Sequence, residues 1–201
     1  MKNTSLISLL CGLSMTAGVM AQTETPLPAP QKEGGMPIYE AFNKRRTIRD
    51  MDKVRELEPQ MLANLLWAAN GINDEKGHRT VPTARNLQEY EIMVLMPSGV
   101  YRYDAHKHSL IKTSDENLLP TAQAFGSTEI VFVGNTKKQP SSKYLAVDAG
   151  YISQNIYLFC AANNLGSCVR ATFPVQELSA KLNLPEGQVV TFVHDVGYKA
   201  Q

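Results

Sequence analysis

The sequence predicts a single α+β domain, and three observations lead there. Helical and strand-like periodicities are mixed along the chain without the regular β-α-β alternation of a parallel sheet. Two segments, residues 59–70 and 144–163, repeat apolar residues at helical spacing. Several short apolar runs bounded by turn residues read as strands.

Taken in order, the chain opens with a short basic start (Met1-Lys2-Asn3), an uncharged apolar run from Leu6 to Met20, and a small-residue exit at Val19-Met20-Ala21. That pattern predicts a cleavable signal peptide over residues 1–21. Ser8, Gly12, Ser14 and Thr16 interrupt the run, whereas an uncleaved anchor needs ~20 predominantly apolar residues. The expectation is an exported protein, periplasmic or secreted, with no stable membrane insertion after cleavage. Removing the leader takes away Lys2 and no acid, so the formal charge of +1 falls to zero. Residues 22–35, rich in Pro and Gly, read as a flexible linker. The folded domain is expected over residues 36–201.

Within it, a short helix is predicted at 37–43, and a clear one at 59–70, opened by Pro59 and ended by Asn70-Gly71. Strands are predicted at 91–96, 100–104, 109–113 and 129–134, the second and third forming a hairpin about Ala105–His108. The longest helix, 144–163, carries two apolar stripes: Ala146, Ala149, Gly150 and Ser153, and Ile152, Ile156, Phe159 and Cys160. Two stripes imply two surfaces to bury, a core face and a subunit face. Asn164-Leu165-Gly166 is expected to stop it. A strand at 167–173, a helix after Pro174 and a closing strand at 188–198 complete the chain.

Composition excludes several functions. Lys and Arg number 20 against 19 Asp and Glu, which leaves no basic footprint for nucleic acid. A hydrophobic share of 43% excludes a disordered chain. Three Cys exclude a disulfide-dense scaffold, and the four His show no metal-ligand spacing. Cys160 and Cys168 read as buried small hydrophobes rather than a bridge or a catalytic thiol. Glu129, Asp148 and Asp195 are candidate acids that nothing in the sequence pairs.

Two segments are suited to a ligand. Arg45, Arg46 and Arg49 place three guanidinium groups within five residues, with the Thr47 hydroxyl among them. Planar guanidinium forks match phosphate oxygens, and Thr adds a neutral donor. In Pro82-Thr83-Ala84-Arg85-Asn86-Leu87-Gln88 the proline turns the chain and the small residues admit a ligand to the backbone. There Asn86 and Gln88 offer amides able to donate and accept toward a heterocycle edge.

Together these segments resemble the FMN-dependent nitroreductase superfamily, in which an R-[RH]-[ST]-x-[RK] stretch holds the flavin phosphate and a P-S-[SA]-x-N-x-Q stretch contacts the ring. Here they stand as R-R-T-I-R and P-T-A-R-N-L-Q, with Trp67–Asn73 between them. Gly99–Asp104, Asp148-Ala149-Gly150 with Gln154-Asn155, Leu165–Cys168 and Val196-Gly197-Tyr198 extend the resemblance in order over nearly all of residues 36–199. The G-V-Y-R-Y-D hairpin is most similar to the branch of azole-forming peptide dehydrogenases.

The resemblance implies a mainly antiparallel central sheet flanked by helices, with the long helix at a homodimer interface. It implies an oxidoreductase in which FMN takes electrons from a donor such as NAD(P)H and passes them to a small organic acceptor. A flavin-binding sensor or carrier is the alternative. Carried over, Arg45, Arg46, Thr47 and Arg49 would serve the phosphate and ribityl chain; Pro82, Thr83, Ala84, Asn86 and Gln88 the ring; and backbone groups at Arg170 and Ala171 the N5 edge. No catalytic side chain or metal is implied. Arg170 stands where many members carry an apolar residue, so its side chain is expected to favour an anion or to face solvent. The chain stops soon after Tyr198, and Lys199 would stand in for the tail's phosphate-binding cation. Residues 113–127 and 136–143 would form the variable substrate face.

Overall fold

The computed structural model describes residues 23–200, so the expected leader lies outside the described residues. Seven strands form one sheet. They are β1 (Glu24–Pro26), β2 (Tyr90–Met96), β3 (Gly99–Asp104), β4 (Ser109–Ser114), β5 (Thr128–Asn135), β6 (Leu165–Arg170) and β7 (Gln188–Tyr198), in the order β1-β4-β3-β2-β5-β7-β6. Every neighbouring pair is antiparallel. Five helices flank it: α1 (Ile38–Lys44), α2 (Pro59–Asn70), α3 (Leu119–Ala122), α4 (Ser142–Ala162) and α5 (Val175–Leu182). The α+β expectation and the mainly antiparallel sheet are met.

The sheet is covered on both faces, which is why β2 and β5 read as nearly unbroken apolar runs. Side chains alternate along a strand, so Ile92, Val94, Ile130 and Phe132 meet Leu65 and Leu66 of α2 and Ile152 and Ile156 of α4. Met93, Leu95, Val131 and Val133 turn instead to Leu119 of α3 and Leu178 of α5. Segment 113–127, expected at the substrate face, therefore contributes Leu118, Leu119 and Ala122 to the core.

Two expectations need correcting. Residues 23–32 are not a free tether. Glu24–Pro26 pairs with β4, Lys112 N donates to Thr23 O at 2.9 Å, and Gln31 N donates to Asn64 Oδ1 of α2 at 2.8 Å. A proline-rich segment is tolerated there because an edge strand needs few of its own N–H groups, and it covers the open edge of β4. The long helix stops before Asn164-Leu165-Gly166 as expected, but Leu165 already begins β6, which runs to Arg170 rather than over 167–173. Gly166 is required by close packing, since a Cβ there would lie 2.9 Å from Met51 Sδ.

Helix α4 buries Leu145, Asp148, Ile152, Ile156 and Cys160 and exposes Tyr144, Val147 and Tyr151 on its other side. Beside it, α1 exposes Ile38, Tyr39 and Phe42.

Candidate functional site

The basic segment runs in extended form past the C-terminal end of α4. Ile48 N donates to Ser167 O at 2.9 Å and Asp52 N to Tyr198 O at 2.9 Å, which fasten it to β6 and β7. Alternation along this chain divides the cluster. Arg45 lies over the Tyr157 ring, its guanidinium carbon 5.3 Å from the centroid, Thr47 Oγ1 is 3.0 Å from the Tyr157 hydroxyl, and Arg49 adjoins the Cys168 thiol. Arg46 turns the other way, its Nη1 donating to the carbonyls of Arg45 and Asn43 at 2.7 and 3.0 Å. There it lines a cavity of about 270 Å³ with Lys44, Asn164 and Lys199. The three guanidinium groups thus do not converge on one point. Lys199, expected as a phosphate cation, shares Arg46's cavity and donates to Asn164 Oδ1 at 2.6 Å.

Tyr157 was not singled out by the sequence, yet it organises this end. Its hydroxyl oxygen accepts Val169 N–H at 3.1 Å. If it gives its own proton to Thr47, the threonine hydrogen is left for an outside acceptor.

The second segment is a tight loop. Thr83 Oγ1 accepts Gln88 N–H at 2.9 Å, and Ala84 N donates to Asp148 Oδ2 of α4 at 2.9 Å. Arg85, Asn86 and Gln88 have φ of 59, 53 and 46°, left-handed values that cost non-glycine residues energy and persist only when neighbours fix them. The Gln88 side chain is one such fixture. Its Oε1 accepts Arg79 Nε–H at 3.1 Å, and its Nε2 donates to Gly77 O and Asn86 Oδ1 at 2.9 and 3.3 Å. Gln88 is therefore engaged within the protein rather than held out to a ligand, whereas Pro82 and Asn86 are exposed and Thr83 and Ala84 half-buried. Both segments dock on α4, at Asp148 and Tyr157. Nine residues at a helical rise of 1.5 Å set those anchors roughly 13 Å apart.

The acids prove to be paired. Glu89 and Asp148 are each about 1% exposed and face one another behind the loop. Burial first, and then Asp148, pushes the Glu89 carboxyl up to about 7. Neither Glu89 oxygen has a donor among the described residues, which favours the protonated carboxyl there. Glu129 and Asp195 instead share a cation. Arg170 Nη2 lies 2.7 Å from Glu129 Oε1 and its Nε 2.6 Å from Asp195 Oδ2, while Asp195 Oδ1 accepts Phe125 N–H at 2.7 Å. One guanidinium cannot balance two buried carboxylates. Burial and the Asp195 charge push the Glu129 carboxyl well above its ordinary range, and the Arg170 guanidinium opposes that shift. The Arg170 side chain consequently neither faces solvent nor is free for an anion, contrary to both expectations. Its backbone and the exposed Ala171 remain at the end of β6.

Cys160 and Cys168 are buried free thiols, as expected, and burial pushes Cys160 up to about 12. His194 is fully buried, with Ser153 Oγ 3.2 Å from its Nδ1, and burial lowers it to about 3. It is a neutral core imidazole.

Comparison with known proteins agrees with this arrangement. The model of the Nitroreductase family matches residues 43–198. A protein of Methanocaldococcus jannaschii, provisionally named a nitroreductase, is 27% identical over 170 residues, 74% of this chain and 85% of that one. A crystal structure from Ralstonia eutropha, also provisionally a nitroreductase, superimposes with a TM-score of 0.83 at 29% identity, over 89% of this chain and 90% of that one. An FMN-dependent nitroreductase from Clostridium difficile shares the fold at 20% identity with a TM-score of 0.57, over 81% of this chain and 88% of that one. With a matched span that takes in both motif segments, the α4 anchors and the closing strand, this chain belongs to the nitroreductase family.

Proposed function

We propose that this oxidoreductase of the nitroreductase type uses FMN, accepts electrons from a reduced donor such as NAD(P)H, and passes them to a small organic acceptor. The observation that carries the reading is the side shared by Arg45, Thr47 and Arg49, braced by Tyr157. Two guanidinium groups with a hydroxyl between them are a donor set fitted to a phosphate monoester. Arg45, Thr47 and Arg49 would hold the phosphate, with Arg46 and Lys199 adding positive potential from the neighbouring cavity. Thr83, Ala84 and Asn86, and the backbone at Arg170 and Ala171, would orient the ring. When bound, FMN supplies the two-electron redox chemistry, while the protein contributes binding, orientation and electrostatics. Asp148 fixes Ala84 N–H in the loop, and the proton on Glu89 keeps a second carboxylate charge away from it.

The exposed apolar residues of α1 and α4 support a homodimer built on these helices, since six large apolar side chains there lack cover. The basic start and apolar run support export, which N-terminal sequencing of the secreted protein tests.

The central experiment adds FMN to the purified chain and follows flavin absorbance and fluorescence, then adds NADH or NADPH without oxygen. Saturable binding followed by bleaching is expected. Arg45→Ala with Arg49→Ala should weaken FMN binding by about 3 kcal/mol, a hundredfold or more, at ~1.5–3 kcal/mol per charge-assisted bond. Unchanged affinity would place the phosphate elsewhere.

A further inference from the structure

Beyond the Met93↔Arg102 pair, β2 and β3 part company. β2 continues along β5 back to Tyr90, while β3 follows β4 as far as Asp104. A polar cavity of about 210 Å³ opens in the wedge, lined by three cations, Arg79, Arg102 and Lys138, and two acids, Glu91 and Asp104, with Gln88 among the rest. Arg79 is half-buried, and its guanidinium is served by neutral acceptors alone. Nε donates to Gln88 Oε1 at 3.1 Å and Nη1 to Asn70 O at 2.9 Å. A guanidinium has five N–H donors, so three remain.

Among the described residues no carboxylate lies within ion-pair distance of Arg79, Arg102 or Lys138. Of the two acids in the lining, Asp104 acts on Arg79 from beyond ion-pair distance, and its Oδ1 accepts the N–H groups of His106 and Lys107 at 3.0 and 3.1 Å, which holds the hairpin turn. Glu91 is exposed, and burial and Asp148 raise the Glu89 carboxyl, on which Lys138 acts, to about 7. Arg170, elsewhere in the same sheet, has two carboxylates for one guanidinium.

A partly desolvated cation with no carboxylate in contact is costly, and a bidentate oxyanion relieves that cost. We propose that this cavity binds a small oxyanion, the carboxylate or phosphate group of a low-mass molecule, with Arg79 as the fork and Arg102 and Lys138 at the rim. The volume lies below the ~300–1,000 Å³ of sites that enclose a drug-sized ligand. It fits a small anion, or the charged end of a longer molecule. The site is separate from the Arg45–Arg49 segment, and the inference stands whether or not that segment holds a flavin. Through Gln88, which bonds Arg79 on one side and Asn86 on the other, an occupant would also brace the left-handed loop.

The test titrates the chain with inorganic phosphate and, separately, with succinate, following backbone amide resonances. It is repeated in the Arg45→Ala/Arg49→Ala chain, which silences the other basic segment. The expected result is a saturable shift of the Arg79, Gln88, Tyr103 and Lys138 amides that persists in that variant. Arg102→Ala with Lys138→Ala should weaken it about tenfold, as expected for losing two charge-assisted contacts at a partly solvated rim, while the melting midpoint holds. Saturation by only one of the anions supports the site and names its group. No saturable response to either anion, a response confined to residues 45–49 and 199, or an affinity indifferent to the rim substitutions would each overturn the proposal.

Discussion

Two buried pairs of carboxyl groups sit in this molecule and solve the same electrostatic problem by different means. Glu129 and Asp195, on adjacent strands β5 and β7, are bridged by Arg170 and bonded by the Phe125 N–H. Glu89 and Asp148 have no cation bonded to them among the described residues, and burial with the neighbouring Asp148 raises the Glu89 carboxyl to about 7. Burial raises one carboxyl in each pair, Glu129 and Glu89, but only at Glu129 does a bonded cation oppose the shift. The first ties a strand end to the loop before β5. The second sits behind the loop that we propose orients the flavin ring, where a change of ionisation reaches Ala84.

The largest effect expected from breaking this contrast is at Arg170. Arg170→Met leaves two buried carboxylates without their cation and should destabilise the fold by about 3–5 kcal/mol. At ~2–4 °C per kcal/mol that lowers the melting midpoint by roughly 6–20 °C. A midpoint within a few degrees of the parent would show that the cation is dispensable and the two pairs alike.

The next effect is the pH dependence carried by Glu89. Its carboxyl titrates near 4.5 when unfolded and at about 7 when folded. The folded state therefore binds more protons between these values. This contribution to stability is fully present below about 4.5 and is lost as pH rises toward 7. His194 works in the opposite sense. Lowered from 6.5 to about 3, it contributes stability above 6.5 that is lost as pH falls toward 3. Between about 4.5 and 6.5 the slopes of Glu89 and His194 oppose each other, and the raised Glu129 carboxyl acts in the same sense as Glu89. Glu89→Gln removes one of these slopes. Urea denaturation should then show a gain on the order of 2 kcal/mol at pH 8, little change at pH 4.5, and a profile tilted upward relative to the parent's between them. An unaltered profile would mean that Glu89 is ionised in the fold.

The smallest effect distinguishes the two motif segments. Tyr157→Phe removes the hydroxyl shared by Thr47 and Val169 but keeps the ring under Arg45. FMN affinity should fall about five- to tenfold, the ~1 kcal/mol of one hydrogen bond. The Glu89-dependent pH profile should stay as it is, because Asp148 lies two and a half turns away on α4.

Much of this was legible in the sequence, and the reason is distance along the chain. The helices at 59–70 and 144–163 and the closing strand lie within two residues of their expected bounds, because a 3.6- or 2-residue period is a local property. The ligand segments 45–49 and 82–88 were legible as chemistry for the same reason. The edge strand at Glu24–Pro26 was not. Three prolines within Pro26–Pro30 resemble a tether, and the order of that segment comes from β4, some 85 residues on.

The sequence by itself determined the fold class, the order of the longer elements and the two segments rich in ligand-binding groups. Only the tertiary structure decided which of those groups are available. Glu89 and Asp148 are 59 residues apart, Glu129 and Asp195 66, and Arg79 is separated from Lys138 by as many as the first pair. Folding buried Glu89 against Asp148, bridged Glu129 and Asp195 with Arg170, turned Arg46 away from Arg45 and Arg49, consumed the Gln88 amide, and left Arg79 with no carboxylate in contact. Ionisation and hydrogen-bond satisfaction depend on which groups share a low-dielectric space, and no spacing along the chain encodes that.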